Sequence, residues 1–153
     1  MLNGKIYRYL LDTNIILYPY DPGANSQKKN RASELLKGLK NQNNTAIPAQ
    51  VLAEFSSVAL RKFKPPLEWH QIELQLNRLS QVFPVLPLTN YVVFTALKGV
   101  GEYQLSYYDA QIWAVAKLYQ IPFILSEDFN TGSTIDGVSF LNPFNDNFKI
   151  ESL

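Results

Sequence analysis

Ser106-Tyr107-Tyr108-Asp109-Ala110-Gln111-Ile112-Trp113-Ala114-Val115-Ala116-Lys117-Leu118-Tyr119-Gln120-Ile121-Pro122-Phe123-Ile124-Leu125-Ser126-Glu127-Asp128 is the stretch on which the reading of the fold turns. A serine with an acid three residues later is the start signal of a capped helix, and the alanine-rich apolar run over 110–119 continues it. Residues 121–125 then read as a short, wholly apolar strand, which Ser126-Glu127-Asp128 closes. A helix that feeds directly into a buried strand belongs to a parallel βαβ arrangement.

Working outward, residues 7–11 form a second apolar, β-prone run that stops at the polar turn Asp12-Thr13-Asn14. After the turn-rich segment Asp21-Pro22-Gly23-Ala24-Asn25, the apolar residues Ala32, Leu35, Leu36 and Leu39 recur at helical spacing and predict a helix over 26–40. Thr45-Ala46-Ile47 is a short strand candidate. It is followed by an amphipathic helix marked by Val51, Leu52, Phe55, Val58 and Ala59, with Glu54 at the edge of its apolar stripe. Pro65-Pro66 ends that helix and precedes another, whose inward face is read as Trp69, Ile72, Leu76 and Leu79, with His70 off it. Val85-Leu86-Pro87-Leu88 is a strand that its prolines push to an edge, and 91–98 is a helix that Gly99 and Gly101 are expected to terminate. In the tail, Val138-Ser139-Phe140 is read as a last edge strand and Asn142-Pro143-Phe144 as a docking segment. Alternation of strands and helices through short loops predicts one α/β domain over 1–153, a three-layer α/β/α sandwich with a mainly parallel central sheet.

Composition narrows the chemistry. The 153 residues carry 46% hydrophobic side chains, enough for a core without disulfides or a structural metal. With no cysteine and only His70 as histidine, thiolate zinc sites, cysteine nucleophiles and histidine-rich metal centres are excluded. No apolar run approaches the roughly 20 residues of a membrane span, and no signal-peptide pattern opens the chain. A cytoplasmic protein is the expectation. Formal net charge is +1, so any attraction for a polyanion must be local.

In open parallel sheets ligands bind beyond the carboxyl ends of the strands, and Asp12 and Asp128 both follow strand candidates directly. Asp109 opens the helix that leads into the strand before Asp128, while Glu54 lies one turn into the helix after the second strand. One pocket can collect all four. Four carboxylates together repel one another unless a cation neutralises them. Ligation by oxygen alone suits a hard divalent ion, Mg²⁺ or Mn²⁺, which polarises a phosphoryl oxygen and lowers the pKa of a bound water. That is the chemistry of phosphodiester hydrolysis.

Leu10-Leu11-Asp12-Thr13-Asn14, Val51-Leu52-Ala53-Glu54-Phe55, Leu105-Ser106-Tyr107-Tyr108-Asp109-Ala110 and Leu125-Ser126-Glu127-Asp128-Phe129 occur in the order of motifs that resembles the PIN domain family. Within that family the chain is similar to the toxin ribonucleases of type II toxin–antitoxin modules, of the VapC type. The resemblance implies a metal-dependent endoribonuclease in which Asp12, Glu54, Asp109 and Asp128 are the metal-site acids, with Glu54 binding the ion or orienting the attacking water. It further implies Thr13, Asn14 and Ser126 as supporting polar groups. The partners it implies are an RNA substrate, a small antitoxin and a second copy of the chain in a homodimer. Many family members carry a threonine-asparagine pair where this chain has Ser126-Glu127, which leaves Glu127 to add a ligand or to face solvent.

Taken singly, each acid has an ordinary role: Asp12 as a turn or cap residue, Asp109 as the first-turn acid of its helix, Glu54 as a boundary residue and Asp128 as a turn. Their joint placement is what argues for a site. A PIN-like domain that binds RNA or protein without cutting is the alternative. A phosphoacceptor receiver fares poorly, because no lysine follows a late strand as that arrangement requires. Lys28, Lys29 and Arg31, and also Arg61, Lys62 and Lys64, are candidates for phosphate contacts, though helix-end charges are equally ordinary. Among Tyr18, Tyr20, Tyr103, Tyr107 and Tyr108, stacking on bases competes with core packing, whereas Trp69 and Trp113 are read as core.

Overall fold

Strand β1, Tyr9–Leu11, is buried at all three positions and is paired in parallel on both sides, with β2, Thr45–Pro48, and with β4, Phe123–Leu125. Continuous burial along a parallel strand requires cover on both faces, and helices supply it. In this computed structural model, which describes residues 4–129 and 132–153, the helices are α1 Thr13–Leu17, α2 Ser26–Gln42, α3 Ala49–Arg61, α4 Trp69–Val82, α5 Asn90–Tyr103 and α6 Tyr107–Leu118. The remaining strands are β3 Val85–Leu86, β5 Thr134–Ile135 and β6 Val138–Leu141. The sheet order is β3-β2-β1-β4-β6-β5, parallel throughout except for the antiparallel β5. The three-layer α/β/α expectation is met.

The chain builds β1, β2 and β3 in one direction across the sheet and then crosses to the other side of β1 to lay down β4. The reversal leaves a crevice beyond the carboxyl ends of β1 and β4. The amide of Asp12 donates to the Leu125 carbonyl at 3.1 Å, and the amide of Ser126 donates to the Leu141 carbonyl at 2.9 Å. The two strand ends that carry acids are therefore locked side by side.

Several local readings are corrected. Helix α5 does not stop at Gly99 but runs through both glycines to Tyr103, where Gln104 in the left-handed region ends it. Gly99 is there for close packing: a Cβ on it would stand 2.8 Å from Cζ3 and 2.9 Å from Cε3 of the Trp113 ring on α6. Trp69 is not core. It is the first residue of α4, 70% exposed, edge-on to His70, while Trp113 is buried as expected. Strand β6 is not at the edge, because the short β5 folds back against its outer side, and Ser106 occupies the N-cap position of α6 without a side-chain cap bond. The tail does dock: Arg31 donates to the carbonyls of Pro143 and Phe148, and the Phe144 ring packs edge-on to Tyr18.

The Gly99 contact makes opposite expectations for two neighbouring glycines. Gly99→Ala should destabilise the fold by about 1–3 kcal/mol through overpacking against Trp113. Gly101→Ala, with nothing within 4 Å of the new methyl, should stabilise it by up to ~1 kcal/mol through helix propensity. Urea midpoints of the two variants check the pair, and a stabilised Gly99→Ala would show that the ring yields at no cost.

Candidate active site

A cleft of about 320 Å³ opens at the reversal point, and its walls include Asp12, Thr13, Asn14, Gln50, Glu54, Arg61, Tyr108, Asp109 and Asp128. All four acids singled out in the sequence line it. Asp12 comes from the end of β1, Glu54 from α3, Asp109 from the first turn of α6, and Asp128 from the loop after β4.

Asp12 is the inner acid, 5% exposed. Its Oδ1 accepts from the amide of Thr13 at 2.7 Å, which makes it the N-cap of α1, and its Oδ2 accepts from the Ser126 hydroxyl at 2.6 Å. Burial pushes its pKa up to about 6. The two hydrogen bonds oppose that rise, and the charges of Asp128 and Glu54 add to it. Glu54 is gripped at both oxygens, by the Thr13 hydroxyl at 2.5 Å and by the Gln50 amide nitrogen at 2.7 Å. Asp128 lies at the mouth, exposed as a residue, where Asn14 Nδ2 approaches both its oxygens at 3.4 and 3.3 Å. Partial desolvation of its carboxylate raises its pKa, and Glu127, Asp109 and Glu54 push in the same direction. Among the described residues the Asp109 side chain accepts no hydrogen bond, so its lone pairs face the cleft unclaimed.

Thr13, Asn14 and Ser126, expected as supporting groups, each bond to a different acid. Ser126 does two jobs, because its hydroxyl oxygen also accepts from the amide of Asp128 at 3.1 Å and so ties the outer acid's backbone to the inner acid. Glu127 neither joins the cleft nor faces solvent freely. It turns away to a 2.8 Å ion pair with Lys28 and a hydrogen bond from the Tyr18 hydroxyl. That removes Lys28 from the set of unpaired cations, and Arg31 is occupied by the tail carbonyls. Arg61 is different: it lines the acid cleft, with its guanidinium braced on Ser57 and no acid partner among the described residues.

Gln50 and Gln111 were not visible as site residues in the sequence. Gln111 donates to Gln50, and Gln50 donates to Glu54. The available signals were a glutamine one helical turn before Glu54 and a lone polar residue inside the buried run of α6.

The sequence matches the PIN domain family over residues 9–132. The chain belongs to the PIN domain family. Solved structures share this PIN fold. A toxin–antitoxin complex from Klebsiella pneumoniae aligns with a TM-score of 0.63 at 21% identity, over 89% of this chain and 98% of that one. VapC20 of Mycobacterium tuberculosis, described as a sarcin-ricin loop cleaving toxin, aligns at 0.63 and 18% identity, over 78% and 91%. VapBC2 from Rickettsia felis, bound to a DNA fragment from its promoter, aligns at 0.62 and 18% identity, over 86% and 96%. No curated protein sequence matches the chain significantly.

PIN nucleases generally use divalent metal ions, and the residues here fit one. Every donor is oxygen, and each Asp12 oxygen accepts a single hydrogen bond, which leaves lone pairs for a cation. Among the described residues no three acids have drawn together into a ready-made cage.

The raised pKa of Asp12 has a sign that can be checked. The folded protein holds this proton more tightly than the unfolded chain, so the favourable contribution is complete below pH ~4 and is lost as pH rises through about 6. In EDTA the wild-type protein should lose about 2 kcal/mol on this account between pH 4 and 7.5. Asp12→Asn should flatten that slope and be at least as stable at pH 7.5. Urea unfolding across the range measures both, and equal slopes would remove Asp12 as the source.

Proposed function

We propose that this chain is a metal-dependent endoribonuclease, folded as one PIN domain, that hydrolyses RNA phosphodiester bonds as the toxin of a type II toxin–antitoxin module. The observation that carries this reading is the single cleft at the sheet's reversal point lined by Asp12, Glu54, Asp109 and Asp128, with Asp12 buried and its carboxyl pushed up. Membership of the PIN family and the shared fold with toxin–antitoxin proteins support it.

Asp12, Asp109 and Asp128 would hold Mg²⁺ or Mn²⁺, with Glu54 as a further ligand or as the acceptor that orients the attacking water. When bound, the ion supplies Lewis acidity toward the phosphoryl oxygen and a water of lowered pKa. The protein's own part is placement. Ser126 and the Thr13 amide fix Asp12, Thr13 and Gln50 fix Glu54, and Asn14 steadies Asp128. Arg61 stands where a backbone phosphate would pass, and the Tyr108 ring, 66% exposed on the same cleft and edge-on to Tyr107, offers a face to an unpaired base. The exposed apolar residues Tyr91, Phe94 and Leu97 along α5 provide surface for the homodimer and antitoxin contacts of this reading. The cytoplasm, where RNA and antitoxin are made, is the matching compartment.

Purified protein should cut a pool of structured RNAs with Mg²⁺ or Mn²⁺ and not with EDTA, and Asp12→Asn should lower the rate by more than about 100-fold while keeping the fold. Equal cutting by both proteins would point to a contaminant. RNA bound but left intact would instead support a PIN domain that binds without cutting. Arg61→Ala should weaken RNA binding and reduce the slope of log affinity against log salt by about 1, leaving the single-turnover rate at saturation nearly unchanged.

A further inference from the structure

The core of α6 contains one polar side chain out of place. Residues Ala110 to Ala116 are all buried, and Gln111, 4% exposed, sits among alanine, isoleucine and tryptophan. A buried amide is costly unless its groups are bonded, and an apolar side chain of similar size would fill the position at lower risk. Gln111 makes its bond across the helix interface, donating from Nε2 to Oε1 of Gln50 on α3. Gln50 is itself only 9% exposed. Its own Nε2 then donates to Glu54 Oε1 at 2.7 Å and to the Tyr108 carbonyl at 3.3 Å.

The direction of this chain follows from the chemistry of an amide. If Gln50 turned over, its oxygen would face the Glu54 carboxylate and the Tyr108 carbonyl, acceptor against acceptor, and its NH₂ would face the NH₂ of Gln111. The Glu54 carboxylate and the Tyr108 carbonyl, acceptors only, thus set the orientation of Gln50, and Gln111, donating to the remaining Gln50 oxygen, braces the side chain in that place. The second Glu54 oxygen is taken by Thr13, so the carboxylate is clamped from α1 on one side and, through Gln50, from α6 on the other. Asp109 and Tyr108 lie on the same turn of α6, two and three residues before Gln111, so the relay also ties α6 to α3 beside the cleft.

We propose that Gln111 and Gln50 are positioning residues that act in series, Gln111 through Gln50, to aim the Glu54 carboxylate into the acid cleft. The relay is a feature of the folded chain, while its bearing on metal affinity rests on the nuclease reading above. Hydrogen-bonding partners that orient a metal's ligands are worth about 10–100-fold in affinity. Loss of either glutamine should cost a similar factor, and loss of both no more than either alone, because the two act through one bond to Glu54.

The test uses Gln111→Met, Gln50→Met and the double variant, with Gln50→Met reporting on the relay if Gln111→Met fails to fold and Gln111→Asn as the milder change. The first readout is the ¹³C resonance of the Glu54 carboxyl, assigned by its loss in Glu54→Gln and recorded in EDTA. Gln111→Met does not touch Glu54, yet it should move that resonance. The second is Mn²⁺ binding to RNA-free protein by electron paramagnetic resonance, where each single variant and the double should fall about 10-fold or more together. An unmoved Glu54 resonance in Gln111→Met overturns the relay. A moved resonance with wild-type Mn²⁺ affinity overturns its role at the metal site, as do additive losses in the double variant. If wild-type protein binds no Mn²⁺ and cuts no RNA while the resonance still moves, the nuclease reading falls and the positioning of Glu54 stands.

Discussion

A carboxylate buried at the end of the central strand is the constraint around which the rest of the site is arranged. Asp12 closes β1, is 5% exposed, and sits among backbone that the sheet has already fixed. A charge in such a place requires compensation, and the chain supplies two neutral donors, the Thr13 amide and the Ser126 hydroxyl, rather than a cation. Neutral donors lower the pKa but do not outweigh burial, so the group is left near pH 6. On the proposed reading, that shortfall in stability at Asp12 is what a bound cation would make good.

From this inner acid the others follow in decreasing constraint. Glu54 is held at both oxygens, Asp128 loosely by Asn14, and Asp109 by no hydrogen bond among the described residues. Hydrogen-bond restraint therefore falls from the floor of the cleft to its mouth. Glu127 follows the same logic with the opposite result. Placed one residue before Asp128, a second free negative charge would push the outer acid further toward its neutral form. Lys28 and Tyr18 draw Glu127 to the far side of the loop, and Lys28 acts to lower the pKa of Asp128.

The parallel sheet was legible in the sequence because apolar runs that stop at polar turns are a period-and-punctuation signal, and the acids at 12 and 128 were legible because they are the punctuation. Features set by a distant partner were not. Gly99 reads as a helix stop, yet Trp113, fourteen residues on, makes glycine the residue that lets two helices touch. Trp69 has the right spacing for the inward face of α4 but is its first residue and lies in solvent, so periodicity alone misreads it. The tail strand was misplaced at an edge because β5 is only Thr134–Ile135, too short to show any alternation. Gln50 and Gln111 carry no motif at all, since the meaning of an amide lies in which other amide it meets.

Net charge and local charge also lead to different conclusions about how a polyanion would approach. The formal charge of +1 exerts no general attraction, and the cleft itself is lined by four acids with Arg61 as its basic side chain. A metal-free cleft therefore repels a phosphate backbone at short range, and Arg61 alone cannot reverse the sign of that field. On the proposed reading, neutralisation of the acids by a divalent ion is what turns the cleft from repulsive to attractive. Cation binding would then precede productive contact with RNA, and the same four side chains that hold the ion would keep the empty site from retaining nucleic acid.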